Sequence, residues 1–486
     1  MSSRPHVIVC GAGLTGLTTA WQLRRQGVDV TVIEAADRVG GVMQSTVRDG
    51  FLVEHGPNSC TLTPDLASLI ETLGLTAQLR PAAPDAQRRY IVRDGVPLEV
   101  PSSPAAMLGS PLFGLAAKLR VLREPWIARR TATGDESVAD FVRRRLGTEP
   151  LDFAVDPFVS GVYAGDPESL SVGHAFPRLA AMEREHGSLL RAMMAAGRKA
   201  RVARSAGDAT SRHTMVSFTN GLHTLPAALA AAIGSDAIRL RSRVIQIEST
   251  DAGVVVTLEH GDGRYTIAAD AVVSTLPLHA LARIELPSDA DAALDQLQRV
   301  PYPAVASLAL GFRRADVAHA LDGFGCLVPS REGRRLLGVL FSSTLFEGRA
   351  PEGYVLLTCF LGGTRHPALG TADTHTLLEA VEPELAALFG IAGVPKFVEH
   401  TVWPRAIPQY NVGHDANIRA AEALEMIVPG LLVDGQFRRG VSVGDCVAAG
   451  AAIAGRAATV ATRVAGGRPV PRPTTISAEH EAIGAA

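Results

Sequence analysis

The feature that most constrains the fold is a glycine-rich turn between an apolar strand and a helix near the N-terminus. His6-Val-Ile-Val-Cys10 has the composition of a buried parallel strand. Gly11-Ala-Gly-Leu-Thr-Gly16 follows, then a helical pattern that ends at Gly27 and a second apolar strand over 28–33. Two strands joined by a crossover helix form a βαβ unit, so we predict an α/β fold built on a Rossmann-like domain.

The spacing of the glycines predicts a dinucleotide site in this turn. Gly11 permits the tight bend, Gly13 lets the backbone approach a diphosphate, and Gly16 lets the helix pack on the strand. The first helical residues, Leu14 and Thr15, offer backbone N–H groups and the positive end of the helix dipole. A dinucleotide phosphate is therefore expected at this helix start.

An acidic residue closes the second strand and restricts the kind of dinucleotide. Glu34 lies 18 residues after Gly16 and is followed by Ala35. Its carboxylate can accept hydrogen bonds from a ribose diol, whereas it would repel a 2′-phosphate. FAD or NAD is therefore expected in preference to NADP.

Composition excludes several other classes of protein. A net charge of -2 and an aromatic content of 5% argue against a strongly basic nucleic-acid binder, so no nucleic-acid partner is expected. The five cysteines show no metal-ligand or C-x-x-C spacing. We therefore predict no metal site and no redox-active disulfide, and a cytoplasmic protein with buried thiols.

No segment of the sequence resembles a signal peptide or a membrane span. The most apolar stretch, 447–464, contains Arg456 and Arg463 and is predicted to be a packed helix. The residues after it, 467–486, are rich in Pro, Thr and Ala and are predicted to form a flexible tail.

A second group of motifs favours FAD. Arg38-Val-Gly-Gly41 follows soon after Glu34, and Gly56-Pro-Asn-Ser59 comes next. These segments resemble the second fingerprint of the flavin amine oxidase superfamily, in which an R-x-G-G segment wraps the FAD diphosphate. Gly40 and Gly41 supply its glycines. The family often has a basic residue where this chain has Gln44, which leaves one phosphate or substrate contact open.

Further segments resemble one branch of that superfamily, the oxygen-dependent protoporphyrinogen IX oxidases. The most specific is Pro157-Phe-Val-Ser-Gly-Val-Tyr-Ala-Gly-Asp-Pro-Glu-Ser-Leu-Ser171. The others are Asn220-Gly-Leu-His-Thr-Leu-Pro226, Trp403-Pro-Arg-Ala-Ile-Pro-Gln-Tyr410 and Gly440-Val-Ser-Val-Gly-Asp-Cys446. Coproporphyrinogen III oxidases share most of these motifs and are the main alternative. A flavin amine or carotenoid oxidoreductase and a non-catalytic binding module are weaker alternatives.

The resemblance implies an activity in haem and porphyrin biosynthesis. An FAD enzyme would remove six electrons from protoporphyrinogen IX in three two-electron steps and form protoporphyrin IX. Molecular oxygen would be the acceptor and hydrogen peroxide the second product. The sequence shows no second G-x-G-x-x-G unit for a nicotinamide cofactor, which agrees with oxygen as the acceptor.

The resemblance also assigns the substrate contacts. Arg89 matches an arginine that binds a substrate propionate, for which a guanidinium is well suited, although the adjacent Arg88 is easily confused with it. The apolar walls around the macrocycle would be formed by Phe324 and Leu327, which belong to Gly323-Phe-Gly-Cys-Leu327. The backbone at Ala164 and Gly165 would approach the macrocycle closely.

The remaining cofactor contacts also follow from the resemblance. The residues implied near the FAD, besides the N-terminal motifs, are Gly56, Pro57, Asn58, Val244, Trp403, Val441, Val443 and Gly444. Asn58 would lie near the reacting centre, where a neutral amide orients a substrate but does not act as a base. Core packing is an equal alternative for Trp403, and a structural role is favoured for His55.

The resemblance divides the chain into discontinuous domains. An FAD-binding domain of the glutathione-reductase type would comprise 1–85, 212–285 and 410–466. A mixed-sheet substrate domain would comprise 86–98 and 286–409, and a helical insertion domain 99–211.

The helical insertion is predicted to associate with a membrane. Residues 112–130 mix leucines, Trp126 and cations, as in a helix that lies on a membrane surface. A solvated face of a helical bundle is the alternative. We expect a peripheral position on the inner face of the membrane, a homodimer and handover of the product to a ferrochelatase.

Overall fold

The computed structural model describes residues 4–101, 104–130, 134–205 and 214–467. The predicted α/β fold is confirmed: a parallel sheet, a larger mixed sheet and a helical region are formed by different parts of the chain. The predicted tail beyond residue 467 lies outside the described residues.

A five-stranded parallel sheet carries the glycine turn. Its strands are β1 (His6–Cys10), β2 (Asp29–Ile33), β10 (Ile238–Arg239), β14 (Ala271–Ser274) and β20 (Leu431–Val433). The spatial order is β10-β2-β1-β14-β20, and every pair is parallel. The strand order reverses beside β1, and a ligand crevice forms outside the carboxyl ends of the strands at such a point.

Helices pack on one face of this sheet. They are α1 (Leu14–Arg25), α2 (Pro64–Thr72), α11 (Thr224–Ile233) and α18 (Val443–Gly466). They share a core with Val7 and Val9 of β1. Among the described helices, α18 alone has the length and hydropathy of a membrane span, but half of its most apolar stretch is buried. Because it packs against α1 and the sheet, α18 matches the predicted packed helix.

The other face of the parallel sheet packs against an antiparallel meander and further helices. The meander consists of β11 (Ser242–Thr250), β12 (Gly253–His260) and β13 (Gly263–Ala269). The helices are α12 (Leu278–Leu281), α13 (Asp291–Gln298), α16 (Asp415–Ile427) and α17 (Gln436–Arg439). Ile8 and Cys10 of β1 point into this second core.

The second large sheet of the fold has seven strands. Its strands are β7 (Tyr90–Arg93), β8 (Val96–Glu99), β15 (Val305–Arg313), β16 (Gly325–Leu327), β17 (Gly338–Leu340), β18 (Tyr354–Gly362) and β19 (Phe397–Trp403). The order is β19-β15-β18-β17-β16-β7-β8, antiparallel except between β16 and β7. The hairpin between β7 and β8 turns at Asp94 and Gly95, both with positive φ. The helices α14 (Ser342–Leu345) and α15 (Thr374–Phe389) accompany this sheet.

Two small sheets lie between these layers. The first pairs β3 (Ser45–Arg48) with β4 (Phe51–Glu54). The second consists of β5 (Cys60–Thr61), β6 (Leu79–Pro81) and β9 (Met215–Phe218).

The remaining helices form the predicted helical insertion. They are α3 (Pro104–Gly109), α4 (Leu115–Leu122), α5 (Val138–Arg145), α6 (Thr148–Pro150), α7 (Asp156–Tyr163), α8 (Val172–Ala175), α9 (Pro177–His186) and α10 (Leu189–Ser205). A fully buried ion pair between Arg145 and Glu124 ties α5 to the segment that follows α4. The domain boundaries drawn from the sequence stay a prediction.

Candidate active site

The glycine turn leaves an open cradle at the start of α1. A Cβ on Gly16 would lie 2.0 Å from the carbonyl oxygen of Gly11, so this glycine is needed for packing. A Cβ on Gly13 would meet no atom within 4 Å. The first turn of α1, at Leu14 and Thr15, has no acidic residue and no side-chain cap. Gly13 therefore borders free space beside uncapped helix amides, which suits a diphosphate.

The R-x-G-G segment folds over this cradle. The Gly40 N–H donates to the carbonyl of Ala12 at 2.8 Å, and a Cβ on Gly41 would lie 3.3 Å from the Cα of Gly13. Arg38 Nη1 donates to the carbonyl of Gly41 at 2.9 Å. Gln44 lies against the same guanidinium, 2.8 Å from Arg38 Nε when its amide oxygen faces it. In place of the family's cation, this chain therefore has a neutral partner for Arg38.

Glu34 joins the two loops at the adenosine end of the cradle. Its carboxylate accepts hydrogen bonds from the N–H groups of Ala12 and Ala36, each at 2.8 Å. Ala35, between Glu34 and Ala36, is exposed. Both oxygens retain lone pairs for a ribose diol. The backbone of Ser242 donates to the Glu34 carbonyl at 2.8 Å, which brings the start of β11, and with it Val244, to this end.

Trp403 connects the far end of β19 to the Gly-Pro-Asn segment. Its Nε1 donates to the carbonyl of His55 at 2.7 Å, directly before Gly56 and Pro57. Asn58 turns back, and its Nδ2 donates to the carbonyl of Gly56 at 3.2 Å. The sequence therefore brings Trp403 and Asn58 to one place from positions 345 residues apart.

His55 has the contacts of a structural residue. Its ring nitrogens lie 2.9 Å from Thr46 Oγ1 and 2.7 Å from Thr401 Oγ1. Burial lowers the pKa of His55, which keeps the ring neutral. The ring joins β3 to β19, consistent with the structural role favoured from the sequence.

The C-terminal motif begins a second helix, α18, which packs against α1. Ser442 and Asp445 form a capping box at the start of α18. A Cβ on Gly444 would lie 2.8 Å from Thr63, which shows how closely α18 approaches the loop before α2. Val443 belongs to the core below the parallel sheet, and Val441 packs against the core of the helical region.

These elements fit FAD. The cradle at Gly13 has room for a diphosphate, and Glu34 has free lone pairs for a ribose. Trp403, in the edge strand β19 of the seven-stranded sheet, contacts the segment that contains Asn58. A bound flavin would accept two electrons there.

Arg88 and Arg89 have different neighbours in the structure. Arg88 forms an ion pair with Asp322, and Tyr90 donates a hydrogen bond to the same carboxylate at 2.8 Å. Arg89 has no acidic partner among the described residues, and its guanidinium lies 5.4 Å from the ring centre of Phe324. An exposed guanidinium with no described acidic partner, next to an aromatic wall, is available to a carboxylate from outside the protein.

Phe324 and Leu327 lie at the two ends of β16, beside Arg89. The Phe324 N–H donates to the carbonyl of Arg88 at 2.7 Å, so the wall is anchored to the arginine segment. Leu327 pairs with Ile91 and lies over α7, where a Cβ on Gly161 would come 2.6 Å from its side chain. Both side chains are partly exposed, as residues that cover a large apolar ligand would be.

Ala164 and Gly165 end α7 next to this wall. Ala164 has φ 51°, an unusual conformation for a residue with a side chain. A Cβ on Gly165 would lie 2.2 Å from Oε1 of Gln409, so no larger residue fits. Gln409 is buried and donates to the carbonyl of Tyr163 at 2.9 Å. Gln409 therefore fixes the backbone at the predicted macrocycle contact.

Sequence reasoning missed several of these supporting residues. Gln409 lay within the motif that ends at Tyr410 but was given no role. Arg365, near the end of β18, donates to Ser160 Oγ at 2.8 Å and pairs with Asp156 at 3.3 Å, which holds α7 against the seven-stranded sheet. No spacing in the sequence connects these positions.

The cysteine thiols lie in the protein interior. All five are free and buried, and burial raises the pKa of the Cys10 and Cys60 thiols to about 12. Thiolates are therefore scarce at neutral pH. Within the described residues no cluster of His, Cys, Asp and Glu suited to a metal ion is found.

Comparison with known proteins identifies the family. The chain matches the family of flavin containing amine oxidoreductases over residues 14–458. The chain belongs to this family. The cofactor is therefore FAD and the protein is an FAD oxidoreductase, as the sequence predicted.

Individual relatives narrow the branch within this family. The chain is 34% identical to protoporphyrinogen oxidase 2 of Arabidopsis thaliana, over 92% of each chain. It is 27% identical to coproporphyrinogen III oxidase of Bacillus subtilis, over 94% of this chain and 98% of the relative. A crystal structure from Exiguobacterium sp. 255-15 superposes with a TM-score of 0.77, at 24% identity, and covers 94% of this chain and 100% of that one. The predicted resemblance to the protoporphyrinogen oxidase branch is confirmed.

Proposed function

We propose that this protein oxidises protoporphyrinogen IX to protoporphyrin IX with molecular oxygen as the acceptor. The reaction would remove six electrons in three two-electron steps and form hydrogen peroxide in each. Support comes from the relatives, because the chain is more similar to the Arabidopsis protoporphyrinogen oxidase than to the Bacillus coproporphyrinogen oxidase.

The observation that carries the proposal is the position of Arg89 beside Phe324. A porphyrinogen is a large apolar ring with propionates at its edge. Arg89 is a cation without an acidic partner among the described residues, and Phe324 forms an apolar wall 5.4 Å away. In the same segment Arg88 is paired with Asp322 and Arg93 with Glu149. Of these three arginines, Arg89 alone lacks an acidic partner in the part of the chain that the structure describes, which suits a substrate whose carboxylates lie along one edge.

The residues of the site would act mainly by positioning the substrate. Arg89 would hold a propionate while Phe324 and Leu327 cover one face of the ring. Ala164 and Gly165, which lack bulky side chains, would allow close approach of the ring to the end of α7. Asn58 would orient the reacting edge by hydrogen bonding, since its amide is a poor base. Such positioning can account for much of the rate enhancement when the cofactor supplies the redox chemistry.

The second candidate is oxidation of coproporphyrinogen III, favoured by the 27–30% identity to two coproporphyrinogen III oxidases. The two substrates differ in the number of propionates, four in place of two. A comparison of kcat/KM on both porphyrinogens decides between them. We expect the higher value with protoporphyrinogen IX, and a higher value with coproporphyrinogen III would replace the first candidate by the second.

We further propose that the helical region rests on a membrane surface. In α4 and after it, Leu115, Leu119, Leu122 and Trp126 are exposed by 74%, 51%, 53% and 79%. Leu112 and Phe113, which were counted with this surface in the sequence, point instead into a core with Ile91. The proposed membrane surface is therefore the outer side of α4. Leu115, Leu119 and Leu122 share this side, because they are four and three residues apart in the helix.

Binding to anionic vesicles tests this surface. We expect the protein to sediment with anionic vesicles at low salt, and Leu119→Glu to reduce the bound fraction several-fold because it places a charge among the exposed leucines. Met426→Glu is a matched control, since Met426 is 75% exposed on the far helix α16. Equal binding by both variants, or no binding by the unchanged protein, would contradict the proposal.

Together with the membrane surface, we propose that the protein is a homodimer. We also propose that it passes the porphyrin directly to a ferrochelatase. An apolar porphyrin is poorly soluble in water, so release toward a membrane or another protein is physically favoured. The proposed location is the inner face of the membrane.

A further inference from the structure

A small cavity lies behind Asn58, between β4 and the seven-stranded sheet. Its polar wall is formed by Glu54, Asn58, Ser342, Arg349 and Thr358. Its apolar wall is formed by Leu52, Leu345, Phe346 and Leu356. The cavity has room for about one water molecule, and its polar wall offers the several partners that a buried water needs.

A buried ion pair forms the floor of this cavity. Glu54 Oε1 lies 3.0 Å from Arg349 Nη2, and the side chains are 3% and 4% exposed. Glu54 also accepts from Ser45 Oγ at 2.5 Å and from the Leu222 N–H at 2.9 Å. Arg349 Nη2 donates to Ser217 Oγ at 2.6 Å. Ser45, Ser217 and Leu222 therefore hold the pair in place.

One nitrogen of this arginine has no protein partner. Arg349 Nη1 is buried and makes no hydrogen bond within the described part of the chain. Buried N–H groups of this kind almost always have a partner, either protein or ordered water. Because Arg349 also lines the cavity, a water molecule in the cavity is the natural partner for Nη1.

The cavity touches both parts of the candidate active site. Asn58, which lines it, is the residue implied near the reacting centre. Leu345 and Phe346 belong to a small core against which Phe324 packs. A water molecule in the cavity would therefore lie between the reacting edge of the substrate and the Glu54 carboxylate.

The charges around Glu54 allow it to take up a proton. Arg349 faces it directly and favours the carboxylate, while the thiol of Cys60 is the other titratable group that interacts with it. Burial is the largest effect and raises the pKa of Glu54 above its usual range. Glu54 is therefore a stronger base than an exposed glutamate.

We propose that this cavity is a proton-holding site, in which a water molecule bound by Arg349 carries a proton from the reacting centre to Glu54. The inference rests on the proposed porphyrinogen oxidation. Over the three two-electron steps the ring would lose four meso C–H hydrogens and two N–H hydrogens. Three C–H hydrogens would leave with their electron pairs to the flavin. The other three hydrogens, two from N–H bonds and one from the fourth C–H bond, would leave as protons while their electrons stay in the ring, and each proton would form a new O–H bond on Glu54 through the water. Glu54 returns this proton when oxygen is reduced to hydrogen peroxide.

The pH dependence of flavin reduction tests this site. Protoporphyrinogen IX would be mixed with the FAD-loaded protein without oxygen, and the loss of flavin absorbance followed. The unchanged protein should reduce faster as the pH rises and Glu54 ionises, until a plateau is reached. Glu54→Gln should lower the rate at the plateau at least about tenfold and remove the rising limb. Arg349→Lys, which keeps the cation, should retain a rising limb.

A matched variant and a structural measurement distinguish proton uptake by Glu54 from a purely structural role of the ion pair. Glu352→Gln changes an exposed glutamate before β18 and should leave the pH profile unchanged. A high-resolution crystal structure should show a water molecule within hydrogen-bond distance of Arg349 Nη1. A lower melting temperature for Glu54→Gln with an unchanged pH profile would overturn the inference, as would an empty cavity. If the unchanged protein is not reduced by the porphyrinogen at all, the proposed function itself fails.

Discussion

Gly13→Val should yield a folded protein that is colourless because it retains no FAD. The backbone at Gly13 has φ −70° and ψ 175°, a conformation that valine adopts readily. A Cβ there would meet no protein atom within 4 Å, so the added side chain would extend into the space expected for the diphosphate. The measurement is the flavin absorbance per mole of purified protein, together with the circular dichroism spectrum and the melting curve.

Gly455→Val is the matched control for this substitution. Gly455 is an exposed residue in α18 with no atom within 4 Å of its Cβ position, and it lies away from the cradle. This variant should keep its yellow colour. Full FAD retention by Gly13→Val would show that the diphosphate does not lie in the glycine turn.

Arg89→Ala should raise the KM for protoporphyrinogen IX by about ten- to a hundredfold, with a smaller effect on kcat. A hydrogen bond to a charged group contributes about 1.5–3 kcal/mol, and each 1.4 kcal/mol is tenfold in affinity. The propionate lies at the edge of the ring, away from the bonds that break, so its contact should be equally strong in the ground state and the transition state. Steady-state kinetics at several substrate concentrations provide the measurement.

Arg88→Ala is the natural comparison, because it removes the neighbouring guanidinium. Arg88 is engaged by Asp322, so its loss should change the KM much less. FAD content should be normal in both variants. If Arg88→Ala raised the KM more than Arg89→Ala, the assignment of the two arginines would be reversed.

The parts of the site that were predictable from the sequence are those in which a local rule determines the backbone. The turn at Gly11 to Gly16 and the acid at Glu34 follow from the geometry of a βαβ unit. The crossover helix was predicted to end at Gly27, and α1 (Leu14–Arg25) occupies this part of the chain.

The parts that were not predictable depend on contacts between distant segments. The short strand β16 and the edge strand β19 have little local signal, and both take their conformation from pairing with neighbours. Gln409 meets Gly165, and Arg349 meets Glu54, across 244 and 295 residues. Leu112 and Phe113 appeared to belong to a surface because sequence alone does not show which side of a short segment packs.

Oxygen consumption per porphyrin formed tests the central claim most directly. The FAD-loaded protein would be mixed with a limiting amount of protoporphyrinogen IX in air-saturated buffer, with porphyrin fluorescence, oxygen and peroxide recorded together. Three oxygen molecules should be consumed and three hydrogen peroxide molecules formed for each protoporphyrin IX, above the rate of spontaneous oxidation without enzyme. Porphyrin formation no faster than the spontaneous reaction, or an enzymatic rate without oxygen consumption, would contradict the account.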